Sequence, residues 1–141
     1  MIDYVHYNET IYCQSTLKEA ALLYVKSLPK DVTCLVSRGE SGLALCLAIL
    51  LLAKRPLRHF HVRKPNQAHT TRPFTGDALL DKDVLCFVDD FIETGITFQA
   101  CVQVIPPAMH ITYALLSHKV EEPCSITSKT KIIYAVERRQ S

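Results

Sequence analysis

From residue 34 onward, short apolar runs of β-prone residues alternate with longer runs of helical character. This alternation constrains the fold more than any other feature of the 141-residue chain. The short runs fall at 33–36, 58–62, 84–88, 111–116 and 132–136. Their largely continuous apolar character predicts strands buried on both faces, as in a parallel sheet, rather than strands with one wet face. Helices fill the intervals. The first is expected to start at Ser15 or Thr16, because Thr16 and Glu19 have capping-box spacing and Leu17, Ala20, Ala21, Leu23 and Tyr24 share one face; Pro29 stops it. A second is expected over 41–54 and a third over 97–104, ended by Pro106 and Pro107. The connection between the second and third strands, residues 63–80, is polar, broken by Pro65, Pro73 and Gly76, and long for such a fold, which marks it as a candidate functional loop. The expected architecture is therefore α/β: one domain over 1–141, with a doubly wound, mostly parallel, five-stranded sheet flanked by helices.

Composition bounds the surroundings. The longest apolar stretch, 43–53, is well short of the roughly 20 residues that span a bilayer, and reads as a core helix. The six cysteines, at 13, 34, 46, 86, 101 and 124, include no CxxC pair, and four lie in apolar runs, which predicts buried thiols. With no basic stretch followed by an apolar block at the start, the expected location is the reducing cytoplasm. A net charge of +2 is too mild to point to nucleic acid. The basic residues Lys54, Arg55, Arg58, Arg63, Lys64 and Arg72 are nevertheless close together along the chain, which suits a small anionic ligand.

The third strand runs directly into Asp89, Asp90, Phe91, Ile92, Glu93, Thr94, Gly95, Ile96 and Thr97, and then into a helix. Ligands of open parallel sheets settle outside the carboxyl ends of the strands, where a turn of small residues entering a helix offers main-chain amides and a positive dipole end to a phosphate. Gly95 lets the backbone approach such a group, and the hydroxyls of Thr94 and Thr97 can donate to its oxygens. Carboxylates just before this cradle can accept hydrogen bonds from the vicinal hydroxyls of a ribose and favour a positively charged sugar centre. Taken singly, the acidic pair is an ordinary solvated turn and Thr97 an N-cap. Taken together, the segment reads as a site for a phosphorylated ribose.

The run VLCFVDDFIETGIT resembles the phosphoribosyl diphosphate (PRPP) motif of the type I phosphoribosyltransferases: an apolar strand, two acidic residues, two apolar residues, a variable residue and a threonine-glycine turn. The resemblance implies that family's alternating fold, with PRPP and a nucleobase as substrates and Mg2+ carried by PRPP near Asp89 and Asp90 in place of a dedicated protein cluster. It places Asp89, Asp90 and Glu93 at the chemistry and Thr94, Gly95, Ile96 and Thr97 around the 5-phosphate. It further implies a homodimer, as the family commonly forms. The hood that closes over the base in the family is reduced here to residues 1–14 and 117–130.

Two further segments fit the pyrophosphate. The first strand ends in Ser37, Arg38 and Gly39, and SRGESG is similar to the family's pyrophosphate loop; the alternative is a plain strand-to-helix turn. After the second strand, Arg63, Lys64 and His69 resemble the basic loop of the orotate enzymes, where cations stabilise the charge that develops as pyrophosphate departs. Gln67 stands where those enzymes carry a further loop lysine. Glu93 pulls the other way, toward the hypoxanthine-guanine branch, where a carboxylate exchanges a proton with the purine. The expected activity is therefore phosphoribosyl transfer to a base, with orotate or another pyrimidine slightly favoured. A purine phosphoribosyltransferase and a non-catalytic PRPP-sensing or nucleotide-sensing regulator are the alternatives.

Overall fold

The computed structural model describes residues 13–64, 72–90, 95–117 and 129–135. In chain order the elements are α1 (Gln14–Ser27), β1 (Cys34–Ser37), α2 (Glu40–Leu52), β2 (Arg58–Val62), β3 (Phe74–Gly76), β4 (Leu85–Val88), α3 (Ile96–Val104), β5 (Ile111–Leu116) and β6 (Lys131–Tyr134). The strands form one sheet in the order β3-β2-β1-β4-β5-β6. Every pairing is parallel except β2 with β3.

Among the described residues the sheet therefore has six strands rather than the five expected, and the extra one lies inside the long polar connection. β3 runs antiparallel to β2, with Val62 opposite Phe74 and Phe60 opposite Gly76. Three residues between a proline and an aspartate carry no readable period; tertiary contact makes the strand. Phe74 stacks on Phe60 at 4.6 Å between ring centroids, and the Arg72 guanidinium lies 4.5 Å from the Phe74 ring. Gly76 has a φ of 93°, and a Cβ there would sit 2.4 Å from the His59 carbonyl oxygen, so this edge demands glycine.

β1 and β4 are buried throughout, which explains their unbroken apolar sequences. Alternate residues feed two cores. On one face Leu35, Cys86, Val88 and Leu115 pack against Tyr24 of α1 and Leu45 and Ile49 of α2. On the other, Val36, Phe60, Phe87 and Leu116 meet Phe98 and Cys101 of α3. Phe87 and Phe98 make an edge-to-face contact at 5.3 Å. Cys34, Cys46, Cys86 and Cys101 are buried free thiols.

Two expectations need correction. α1 starts at Gln14 with Cys13 as N-cap, and the Thr16 hydroxyl lies inside the first turn, donating to the Cys13 carbonyl at 3.2 Å instead of capping. The apolar stretch read as a core helix is buried on one side only: Leu45, Cys46 and Ile49 join the core and Ala48 is buried, while Leu47 and Leu51 are exposed. Among the described residues no helix is long and apolar enough to cross a membrane.

Candidate ligand site at the carboxyl ends of β1 and β4

The chain turns one way from β1 to β2 and the other way from β1 to β4, so the ends of β1 and β4 flank the point where the strand order reverses. That is where open α/β sheets leave a crevice for ligands. Both loops singled out in the sequence emerge there.

The β1 loop is Arg38 and Gly39, leading straight into α2. Gly39 is the N-cap, with φ 89° and ψ 171°, a backbone conformation that L side chains scarcely adopt. Arg38 is half-buried, and its Nε is shielded from solvent without a hydrogen-bond partner among the described residues. A guanidinium N–H buried that way is a donor awaiting an acceptor. Ser37, expected among the pyrophosphate-binding residues, is fully buried. Its Oγ lies 2.7 Å from both His59 Nε2 and His61 Nδ1, so its hydroxyl is engaged beneath the loop and not offered to an anion.

The β4 loop begins with Asp89, half-buried, and Asp90, only 5% exposed. Asp89 Oδ1 accepts from the Asp90 amide at 2.9 Å. The pair is braced from two sides. The Ser117 amide donates to the Asp90 carbonyl at 2.8 Å, and the Tyr24 hydroxyl donates to the Asp89 carbonyl at 2.6 Å. With that proton spent, Ser117 Oγ, also 2.6 Å away, donates to the tyrosine oxygen. Tyr24→Phe removes both bonds from a fully buried position, and about 1–3 kcal/mol of stability should go with them; urea unfolding of the two proteins measures it. Burial first, and then the adjacent Asp90 carboxyl, hold the Asp89 carboxyl protonated well above the usual carboxylate range. A partner supplying hydroxyl donors or positive charge would reverse that.

α2 presses the two loops together. A Cβ on Gly42 would lie 2.7 Å from the Val88 carbonyl oxygen, 3.4 Å from Ser37 Cβ and 3.8 Å from Asp89 Oδ1. The sequence signal for this role of Gly42 is its spacing in SRGESG, since a glycine in the first turn of such a helix permits close strand packing.

Beyond the acidic pair, Gly95 is the N-cap of α3, in the left-handed conformation with φ 85° and ψ 0°. α3 thus begins at Ile96, one residue earlier than expected, and Thr97 sits half-buried in its first turn, where helix amides point outward. Cys101 of α3 is pushed up to about 12 by burial, with Arg38 pulling it down and Asp89 pushing it up, so both loops lie in electrostatic range of one helix. Arg63 and Lys64 leave the end of β2, half-buried and exposed respectively, and the Arg63 amide donates to the Pro73 carbonyl at 2.9 Å. Glu93, Thr94, Gln67 and His69, with most of the expected hood, lie outside the described residues.

His59 and His61 were not singled out, although their spacing on β2 puts both on one sheet face. His59 is pushed down to about 4, by burial and then by His61. Its folded value lies below the ordinary 6.5, so the stability it contributes is whole above pH 6.5 and is lost as pH falls toward 4, by about 2–3 kcal/mol in all. Because the raised Asp89 carboxyl contributes a slope of opposite sign over the same range, the His59 contribution is read as the difference between wild type and His59→Gln in chemical denaturation at pH 7 and at pH 4.5. The variant should gain stability relative to wild type at the lower pH.

The architecture is that of the type I phosphoribosyltransferases. The chain superimposes on orotate phosphoribosyltransferase from Aeropyrum pernix with a TM-score of 0.65 at 14% identity, covering 96% of this chain and 77% of that one. Orotate phosphoribosyltransferase from Mycobacterium tuberculosis H37Rv in complex with PRPP gives 0.65 at 15% identity, over 78% of this chain and 64% of that one. Adenine phosphoribosyltransferase from Rhodothermus marinus gives 0.66 at 14%, over 89% and 81%. No protein-family model matches the sequence, and no curated protein does.

Proposed function

We propose that this chain transfers the 5-phosphoribosyl group of PRPP to a ring nitrogen of a base and releases pyrophosphate. One observation carries the reading: the Asp89-Asp90 pair, half-buried and buried respectively, leaves β4 at the strand-order reversal, on the strand next to the one that ends in the Arg38-Gly39 turn, and is followed along the chain by the glycine-capped start of α3. A ligand at that end of the sheet would meet a cation from the β1 loop, the carboxylates from the β4 loop and the N-terminus of α3. PRPP has the matching groups: pyrophosphate, ribose and 5-phosphate.

In this reading the α3 start, with Thr94, Gly95, Ile96 and Thr97, binds the 5-phosphate. Asp89 and Asp90 accept from the ribose hydroxyls, and their charge favours the cationic sugar that forms as the anomeric bond lengthens. Arg38, Arg63, Lys64 and His69 take the charge that accumulates on the departing pyrophosphate. Among the described residues no group of three or more His, Cys, Asp or Glu could hold a metal ion, whereas two adjacent carboxylates suit a hard cation that arrives on substrate oxygens. Mg2+ would be met by Asp89 and Asp90 and would neutralise leaving-group charge.

The Arg63-Lys64 pair favours orotate or another pyrimidine, while Glu93 favours a purine. The uncharged Gln67, at the place of a loop lysine, favours a second reading in which the same crevice senses PRPP or a nucleotide without turning it over. Calorimetric titration with PRPP and magnesium, followed by pyrophosphate-release assays over orotate, uracil, adenine, hypoxanthine and guanine, separates these. Release with one base establishes the transferase; tight PRPP binding without release establishes the sensor; no binding of PRPP removes both.

A further inference from the structure

We propose that His61 is a ligand to the departing pyrophosphate, its Nε2 donating to a phosphoryl oxygen between Arg38 and Arg63; this rests on the transferase reading above. His61 is the penultimate residue of β2 and pairs in register with Ser37, the last residue of β1, so it lies at the carboxyl end of the strands, where the β1 loop departs. It is half-exposed, whereas His59 behind it is buried. Its Nδ1 is fixed at 2.7 Å from Ser37 Oγ, and its Nε2 has no hydrogen bond among the described residues. Ring orientation and register therefore leave Nε2 as the atom it can present to a ligand.

The serine explains how the ring can carry either charge. Ser37 has one hydroxyl proton to share between two imidazoles. When His61 is neutral the hydroxyl donates to its Nδ1 and accepts from His59 Nε2, which leaves His61 Nε2–H as a donor. When His61 is protonated, its Nδ1–H donates to the serine, whose hydroxyl swings to His59 Nε2 as the His59 proton moves, by exchange with solvent, from Nε2 to Nδ1. The exchange works only while His59 stays neutral, and His59 is the more deeply buried of the two rings, which lie 6.0 Å apart.

Among the described residues, the titratable and charged groups around His61 are Arg38 after β1, His59 and Arg63 on its own strand, and Cys46 of α2 behind Ser37; β3 contributes Thr75 in register. Burial, then Arg38 and then Arg63, disfavour a proton on the ring in the unliganded protein. Pyrophosphate brings several negative charges to the same place and cancels the field of the two arginines. The imidazole then takes a proton from the buffer as the anion binds.

The test is calorimetric binding of inorganic pyrophosphate to the full chain, from pH 6 to pH 8, in pairs of buffers with different ionisation heats. The wild type should show net proton uptake beyond that of pyrophosphate itself. His61→Asn keeps a group near Ser37 but lacks the outer donor; it should bind about tenfold more weakly, the size of one charge-assisted hydrogen bond, and lose the extra proton. His61→Gln places an amide near the Nε2 position; it should recover most of the affinity without the proton. A folded His61→Asn that matches wild type in affinity and proton uptake overturns the inference and leaves the transferase reading standing. A wild type that binds neither pyrophosphate nor PRPP overturns both.

Discussion

Asp90→Asn should lower turnover by about two to three orders of magnitude while changing PRPP affinity by less than about threefold. The amide is nearly the same size as the carboxylate and still accepts a hydrogen bond from a ribose hydroxyl, so ground-state contacts survive. What disappears is negative charge beside a sugar whose positive charge grows only as pyrophosphate leaves. At 5% exposure Asp90 is shielded from water, where a charge acts more strongly than on the surface. Its backbone is fixed by the Ser117 amide, so the side chain need not reorganise during reaction. Steady-state pyrophosphate release gives kcat, and calorimetry gives the PRPP dissociation constant. Equal losses in both would mean that Asp90 only binds the ground state, and the charge argument would fall.

How far this site was legible in the sequence follows from the range of the interactions that build it. The β4 strand, the acidic pair and the glycine before α3 are contiguous, so local pattern located them, and the structure sets them at the strand-order reversal. β1, β2, β5 and β6 were likewise found to within a residue or two, because their apolar runs are bounded by breakers. β3 escaped because only its contacts with β2 define it. Tyr24 was read as one member of an apolar helix face, yet its hydroxyl braces residues 65 and 93 positions away, a distance no periodicity encodes. The partners of the Ser37 hydroxyl were illegible for the same reason. A serine at the mouth of an anion loop invites a ligand role, and only the register of β1 with β2 reveals two imidazoles beneath it.

Gly42→Ala should destabilise the protein by about 2 kcal/mol, against the ordinary preference of helices for alanine. Gly42 is the third residue of α2, where replacing glycine by alanine normally gains up to about 1 kcal/mol. Here the new Cβ would stand 2.7 Å from the Val88 carbonyl oxygen. Both sides of that clash are backbone, so no rotamer change relieves it, and α2 must move off β4. Overpacking of this kind costs typically 1–3 kcal/mol and occasionally more, which outweighs the helical gain. For a chain of this size the melting temperature should fall by roughly 5 °C. Gly42→Ser should cost at least as much, since it adds the same Cβ and an oxygen; a propensity effect alone would leave both variants more stable than wild type. The displacement also reaches the site, because Gly42 sets the spacing between the Arg38-Gly39 turn and Asp89 Oδ1, 3.8 Å from the same Cβ position. PRPP affinity should therefore drop even well below the melting temperature, as a ligand gripped at both ends tolerates little change in their separation. An alanine variant as stable as wild type, with unchanged PRPP affinity, would show that the two loops are held by something other than this contact.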